Sequence, residues 1–131
     1  MIYLDSAAVV KLVHAEAETE ALRAWLDERI DLPWTSSALV EVEAFRALAR
    51  HAPDAATRLH AVLDLVGLVE LDPGIRILAQ TVQPATVRSL DAVHLATAMS
   101  LGTALTAFVT YDKRLADAVD AAGIAVAMPS R

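Results

Sequence analysis

The chain has 131 residues, a formal net charge of −6 and a mean hydropathy of +0.43. A chain of this length builds one hydrophobic core, and the 56% of hydrophobic residues are sufficient for it. The negative charge argues against binding nucleic acid through a broad basic surface. It leaves open an enzyme that meets phosphates through cations held by its own carboxylates.

Composition also restricts the compartment and the chemistry. The sequence has no cysteine, which excludes disulfides and thiolate metal sites and is consistent with a cytoplasmic protein. The longest uncharged stretch, 95–111, contains four threonines and falls short of the roughly 20 apolar residues of a membrane span. No basic region precedes the first apolar run, so we expect neither a secretory signal nor a membrane anchor.

Strands and helices alternate along the predicted chain. The apolar run 1–4 predicts a buried strand that stops at Asp5, and further strands are expected at 32–35, 68–71, 107–110 and 124–126. Helices are expected at 7–14, 18–28, 38–50, 53–66 with Gly67 as its stop, 75–82, 89–101 and 113–122, with Ser6, Ser36 or Ser37, and Ser89 as caps. Strands that are apolar throughout and alternate with helices are typical of a parallel sheet covered on both faces. We therefore predict one α/β domain over residues 1–131, with helices flanking a central parallel sheet.

Four acidic residues recur at similar positions in this pattern. Asp5 follows the first strand, Glu43 lies in the helix after the second, Asp91 lies in the first turn of the helix at 89–101, and Asp112 follows the strand at 107–110. In a parallel sheet these positions share one edge, so the side chains can converge. Converging carboxylates repel one another and imply a cation, and ligation by oxygen alone favours Mg²⁺ or Mn²⁺ over zinc.

Each acid also has a simpler explanation. The helix dipole favours an acid at Asp91, and Asp112 is suited to capping the helix that follows it. Glu43 would be a solvated helix residue, as we expect of Glu41. Asp5 is hardest to dismiss, because an acid that ends a buried strand needs a partner. The spacing leaves both interpretations open and names no reaction.

Other catalytic arrangements have little support. The serines fall at predicted helix starts and none lies in a G-x-S-x-G motif, which argues against a serine hydrolase. His94, one turn beyond Asp91 on a buried helix, is expected to be a hydrogen-bonded core residue rather than a metal ligand. The other histidines, His14, His51 and His60, are expected at the surface, and the scattered glycines form no phosphate-binding loop.

Four segments resemble the sequence motifs of PIN-domain ribonucleases, in the order in which that family carries them. They are 2–12 (IYLDSAAVVKL), 37–46 with its Val-Glu pair and following arginine, 88–98 (RSLDAVHLATA) and 109–115 (VTYDKRL). The third is the most specific. The match extends over essentially the whole chain, and a bare domain of this length resembles a VapC-type toxin of a toxin–antitoxin pair.

This resemblance implies roles for particular residues. The implied metal-binding and catalytic acids are Asp5, Glu43, Asp91 and Asp112. Glu43 is preferred to Glu41 because Arg46 follows it at the family's spacing. Ser6 and Thr110 would support the site, and the phosphate contacts would come from Lys11, Arg46 and Arg114.

The resemblance also implies an activity and partners. The protein would be a Mg²⁺- or Mn²⁺-dependent endoribonuclease that hydrolyses RNA phosphodiesters with metal-activated water. It would form a homodimer and bind a cognate antitoxin. Trp25, Trp34 and Phe45 are candidates for an antitoxin-binding groove, although ordinary core packing explains aromatic residues equally well.

Three other functions are considered. A response-regulator receiver would carry an acidic pair after its first strand, whereas Ser6 follows Asp5 here. A phosphatase of the haloacid-dehalogenase type would carry an aspartate two residues after Asp5, where this chain has Ala7. The main alternative is a non-catalytic PIN-like module that binds RNA or protein.

Overall fold

The computed structural model describes residues 1–130, which form one five-stranded parallel sheet in the order β3-β2-β1-β4-β5. The strands are β1 (Ile2–Leu4), β2 (Trp34–Ser37), β3 (Val66–Val69), β4 (Ala107–Val109) and β5 (Val126–Ala127). The helices are α1 (Ser6–Val13), α2 (Thr19–Asp27), α3 (Val40–His51), α4 (Leu59–Leu63), α5 (Pro73–Gln80), α6 (Ser89–Ser100) and α7 (Lys113–Ala121), with 3₁₀ turns at Pro53–Arg58 and Gly102–Ala104. The predicted parallel α/β fold is confirmed.

The alternation of side chains in β1 and β4 divides the core into two layers. Ile2 and Leu4 pack with helices α1 to α4 on one face of the sheet. Tyr3 and Phe108 pack with α5, α6 and α7 on the other face. The result is an α/β/α sandwich whose central strand is β1, so residues at its carboxyl end lie between both helical layers. No helix within residues 1–130 has the length and hydrophobicity needed to cross a membrane.

The predicted bounds of β2 and β3 are wrong by two residues, in opposite directions. The observed ladder pairs Trp34 with Val66 at one end and Ser37 with Val69 at the other. Pairing in the sheet accommodates the polar Thr35 of β2, because its hydroxyl donates to the carbonyl of Gly67 at 2.9 Å. Gly67 is therefore a strand residue and not a helix stop, and the segment before it is a 3₁₀ turn followed by the short α4.

The predicted caps also need correction. Asp5, not Ser6, caps α1: its Oδ1 accepts the N–H of Ala8 at 2.9 Å. Ser89 is the first residue of α6, which has no side-chain cap. Ser37 lies in β2 and its Oγ accepts the N–H of Leu39, just before α3. The last strand begins two residues later than predicted, because Val126 is the residue that pairs with Phe108.

Candidate active site

Asp5 lies at the carboxyl end of the central strand and is 4% exposed. Besides capping α1, its carboxylate receives a hydrogen bond from the hydroxyl of Thr110. Burial raises the pKa of Asp5, and the charge of Asp91 raises it further, against the opposing effect of the hydrogen bonds from Thr110 and Ala8. The fold therefore holds a carboxyl group at a point where its charged form lacks solvent.

Glu43 reaches the same edge from α3 and is held by a buried histidine. Its Oε1 lies 2.6 Å from Nε2 of His94, a residue of α6 that is 1% exposed. Nδ1 of His94 lies 2.6 Å from the hydroxyl of Tyr3. His94 is thus a hydrogen-bonded core residue, as expected. Glu41, by contrast, is exposed to solvent on α3.

Asp91 lies in the first turn of α6 and is partly buried. Within residues 1–130 its carboxylate has no hydrogen-bond partner and caps no helix. Burial raises its pKa, the charges of Asp112 and Glu43 raise it further, and those of His94 and Arg88 oppose the rise. Two of the other three candidate acids therefore act on the pKa of Asp91.

Asp112 is exposed and caps α7, as the simpler explanation predicted. Its Oδ1 accepts the N–H of Arg114 at 2.9 Å and of Leu115 at 3.3 Å. The buried hydroxyl of Thr110 accepts the N–H of Asp112 at 3.1 Å and also donates to Asp5. Thr110 therefore links the ends of β1 and β4, whereas Ser6 is partly exposed at the start of α1.

Asp91 is the common member of the electrostatic effects: the charges of Glu43 and Asp112 act on it, and its own charge acts on Asp5. The donor set of these four acids consists of carboxylate oxygens with a neighbouring hydroxyl, which suits hard divalent cations such as Mg²⁺ and Mn²⁺. In the described part of the chain, no three acidic or histidine side chains are close enough together to hold a metal ion. The chemistry of the set fits a divalent cation, and its coordination geometry is not formed by the present side-chain positions.

An open cleft of about 280 Å³ adjoins Asp91 and Asp112. Three basic side chains line it: Arg88, Lys113 and Arg114. Within residues 1–130 none of the three forms an ion pair. Sequence reasoning named Arg114 but missed Arg88 and Lys113, although Arg88 begins the third motif and Lys113 follows Asp112 directly.

The other two basic candidates lie elsewhere. Lys11 is 8% exposed, and its Nζ lies 3.2 Å from a carboxylate oxygen of Glu16 and 3.5 Å from one of Glu18. The same ammonium group lies 4.7 Å from the centre of the Tyr111 ring. Arg46 is exposed on α3. The positive charge of Lys11 is therefore already neutralised by the protein.

The three aromatic candidates for a partner groove divide into two kinds. Trp25 and Trp34 are partly buried and pack against the core on the α1–α4 face. Phe45 is 50% exposed on α3, close in sequence to the exposed Val42. Core packing therefore accounts for the two tryptophans and leaves Phe45 at the surface.

Comparison with known proteins connects this arrangement to a family. The family model of the PIN domain matches residues 2–121. The chain belongs to the PIN-domain family. Among curated PIN relatives, Ribonuclease VapC35 of Mycobacterium tuberculosis is 44% identical over 133 residues, with 100% of this chain and 98% of the relative covered. Ribonuclease VapC47 of the same species is 41% identical, with 98% and 97% covered. The resemblance to VapC-type ribonucleases is confirmed.

Solved structures agree with the PIN fold. The crystal structure of Mycobacterium tuberculosis VapC20, described as a sarcin–ricin loop cleaving toxin, matches with a TM-score of 0.78 at 18% identity and covers 98% of this chain and 100% of that one. FitAcB from Neisseria gonorrhoeae matches with a TM-score of 0.72 at 21% identity, with 98% of both chains covered. At these identities the likeness concerns the fold alone.

Proposed function

We propose that this PIN-domain chain is a divalent-metal-dependent endoribonuclease and the toxin of a toxin–antitoxin pair. The observation that carries the proposal is the electrostatic effect of neighbouring acids on two partly or fully buried carboxyl groups, Asp91 and Asp5. The charges of Asp112 and Glu43 raise the pKa of Asp91, and the charge of Asp91 raises the pKa of Asp5. Carboxylates whose charged forms are disfavoured by burial and by neighbouring acids are explained by a cation that the site binds. The full-length likeness to ribonucleases of the VapC type supports the reaction and the biological role.

Asp5, Glu43, Asp91 and Asp112 are the residues that would hold Mg²⁺ or Mn²⁺. When bound, such an ion activates water for attack on a phosphodiester and neutralises the charge that develops on the phosphoryl oxygens. The protein fixes one oxygen of Asp5 through the N–H of Ala8. It fixes one oxygen of Glu43 through His94, while neither oxygen of Asp91 accepts a hydrogen bond within residues 1–130.

The substrate would approach through the cleft beside Asp91 and Asp112. Arg88, Lys113 and Arg114 supply local positive charge to a protein whose net charge is −6. Unpaired cationic side chains beside metal-binding acids are suited to the phosphates that flank a cleaved bond. Of the three basic residues named from the sequence, Arg114 has the best position for this role, since the ammonium group of Lys11 is paired with two glutamates.

Metal removal and one substitution test the proposal together. Wild-type protein is expected to cleave RNA internally with Mn²⁺ or Mg²⁺ and to lose activity in a chelator. Asp91→Asn is expected to be inactive, because it removes a metal ligand. Asp117→Asn, which changes an exposed carboxyl group on α7, is the matched control and should remain active. Full-rate cleavage in a chelator, or a fully active Asp91→Asn variant, would contradict the proposal.

The partners follow from the same assignment. The whole chain would act as one cytoplasmic nuclease domain, as a homodimer that a cognate antitoxin inhibits. The exposed Phe45 and Val42 lie on α3 together with Glu43, so an antitoxin segment bound there would also cover the acidic site. The alternative, a non-catalytic PIN-like module that binds RNA or protein, predicts RNA binding without turnover and no growth arrest when the chain is expressed alone.

A further inference from the structure

Three buried groups form a continuous hydrogen-bonded chain behind Glu43. The backbone N–H of Ser37 donates to the hydroxyl of Tyr3 at 3.1 Å. That hydroxyl lies 2.6 Å from Nδ1 of His94, and Nε2 of the same ring lies 2.6 Å from Oε1 of Glu43. The chain begins at the end of β2, crosses β1 and α6, and ends on α3, so it joins both helical layers above the edge of the sheet.

The donors and acceptors along this chain are consistent with one another. Because the Tyr3 oxygen accepts from the Ser37 N–H, its single proton is free to donate to Nδ1 of His94. Nε2 of His94 carries a proton and donates it to Glu43, because a carboxylate oxygen only accepts hydrogen bonds. One tautomer of His94 satisfies all the partners.

Packing fixes the rings that make these contacts. The Tyr3 ring stacks on Phe108 with 4.6 Å between ring centres and 14° between planes. The His94 ring meets the Tyr3 ring nearly edge-on, at 5.7 Å and 83°. Tyr3 and His94 are both fully buried, so the surrounding core restricts the motion of both rings.

The consequence for Glu43 is a carboxylate with two different oxygens. Oε1 is occupied by His94, whereas Oε2 has no hydrogen-bond partner within residues 1–130. A free glutamate side chain would lose rotational freedom about several bonds on binding a cation. The side chain of Glu43 is already restrained by its hydrogen bond to His94. Residues that hydrogen-bond to a metal ligand contribute to metal affinity even though they do not touch the metal.

We propose that His94 is a positioning residue for the metal site: held by Tyr3, it fixes Oε1 of Glu43 and presents Oε2 to the shared cation. This inference rests on the proposed function, because it takes Glu43 as a ligand. A purely structural role would also explain a buried, hydrogen-bonded histidine. The two roles differ in one respect: positioning acts through Glu43 and must disappear when Glu43 can no longer bind a cation.

A double-mutant cycle read by Mn²⁺ binding separates the two roles. Calorimetry on wild type, His94→Leu, Glu43→Gln and the double variant is compared at one pH, with thermal unfolding recorded in parallel. His94→Leu is expected to weaken Mn²⁺ binding by about 10- to 100-fold, the usual effect of losing such a partner. In the Glu43→Gln background the same substitution should cause no further loss.

Two milder variants keep the test decisive if His94→Leu does not fold. His94→Gln retains an N–H donor at about the reach of Nε2, and is expected to bind Mn²⁺ within a few-fold of wild type. Tyr3→Phe removes only the hydroxyl that holds the ring, and should weaken Mn²⁺ binding measurably while Glu43 itself is unchanged.

The outcomes distinguish this inference from the proposed function. If wild type binds Mn²⁺ and needs it for cleavage, but the His94 and Tyr3 variants bind it with unchanged affinity, the positioning role is overturned and the metal site stands. An equal loss from His94→Leu with and without Glu43 also overturns it, in favour of a structural role. If wild type cleaves RNA without any divalent metal, the proposed function fails and the positioning role fails with it.

Discussion

The four acids of the site form two pairs that differ in how the fold treats them. Asp5 and Glu43, the held pair, have little exposure and receive hydrogen bonds from Ala8, Thr110 and His94. Asp91 and Asp112, the open pair, line the cleft together with the three basic side chains. Asp112 gives one oxygen to capping α7, and Asp91 has no partner in the described part of the chain.

This difference suggests a division of labour along one edge of the sheet. The held pair lies at the end of the central strand and between the two helical layers, where the protein controls orientation. The open pair lies where a phosphate backbone and solvent have access. We expect substitutions in the held pair to act through metal binding, and substitutions around the open pair to affect substrate binding as well.

The largest effect is expected from Asp5→Asn. Asparagine caps a helix about as well as aspartate, so α1 keeps its cap while the site loses a carboxylate. RNA cleavage should fall by at least about 100-fold, since a metal ion supplies several kcal/mol of transition-state stabilisation. Cleavage assays and thermal unfolding of the same sample check both parts. Asp31→Asn, an exposed residue ahead of β2, is the control. An Asp5→Asn variant that is inactive because it is unfolded would contradict the separation of the capping role of Asp5 from its role in metal binding.

A smaller, different effect is expected on the cleft. Arg88→Gln and Arg114→Gln should each raise KM by about fivefold with little change in kcat, corresponding to about 1 kcal/mol for an exposed charge contact. The plot of log binding constant against log salt concentration has a negative slope, and its magnitude should decrease by about 0.7 for each phosphate contact removed. Arg50→Gln, at the far end of α3, should change neither. An unchanged salt slope in both cleft variants would exclude this surface as the path of the RNA.

The stability of the metal-free protein should depend on pH in a defined direction. The pKa values of Asp5 and Asp91 are raised above the ordinary value of 3.8, so the folded state binds more protons than the unfolded state above that pH. Their contribution to stability is full below pH 3.8 and is lost as the pH rises through the raised values. In a chelator, the Tm of Asp91→Asn minus that of wild type should therefore increase between pH 4 and pH 7. Mn²⁺ should reduce the difference, and a gap that shrinks with rising pH would contradict the assigned shifts.

The smallest effect concerns the second role of Asp112. Asp112→Asn keeps the cap of α7, whereas Asp112→Ala removes it, at a cost of about 1 kcal/mol. Denaturant unfolding should show this difference between the two variants while both lose RNA cleavage. Equal stability of the two variants would mean that the hydrogen bonds to Arg114 and Leu115 contribute nothing.

The layers of the fold were predictable from the sequence, because the spacing of apolar residues indicates which faces of the helices and strands are buried. The sequence pattern misplaced β2 because Ser36 and Ser37 look like cap residues locally, and β3 because Gly67 looks like a helix stop. The strand positions of these residues depend on pairing between segments far apart in the sequence, as in the hydrogen bond from Thr35 to the carbonyl of Gly67. Local propensity gives way to pairing in the sheet at such positions.

The site was predictable in its residue types and not in its connections. Each acid stands beside a strand or helix end that the pattern reveals, and His94 was expected to be buried with a partner. The identity of that partner was not accessible, because Tyr3 and Glu43 meet His94 only after three elements have packed. Arg88 and Lys113 were missed for the same reason, since exposed basic residues have no distinguishing pattern until a cleft brings them together.

The order of the strands in the sheet has a consequence for the time at which the activity appears. β4 pairs directly with β1, although most of the chain separates them. A growing chain that has left the ribosome only as far as α5 carries Asp5 and Glu43 but neither Asp91 nor Asp112. Contacts between such distant segments are also slow to form. We therefore expect a newly made molecule to be harmless throughout its synthesis, and to become a nuclease only when β4 closes against the first strand.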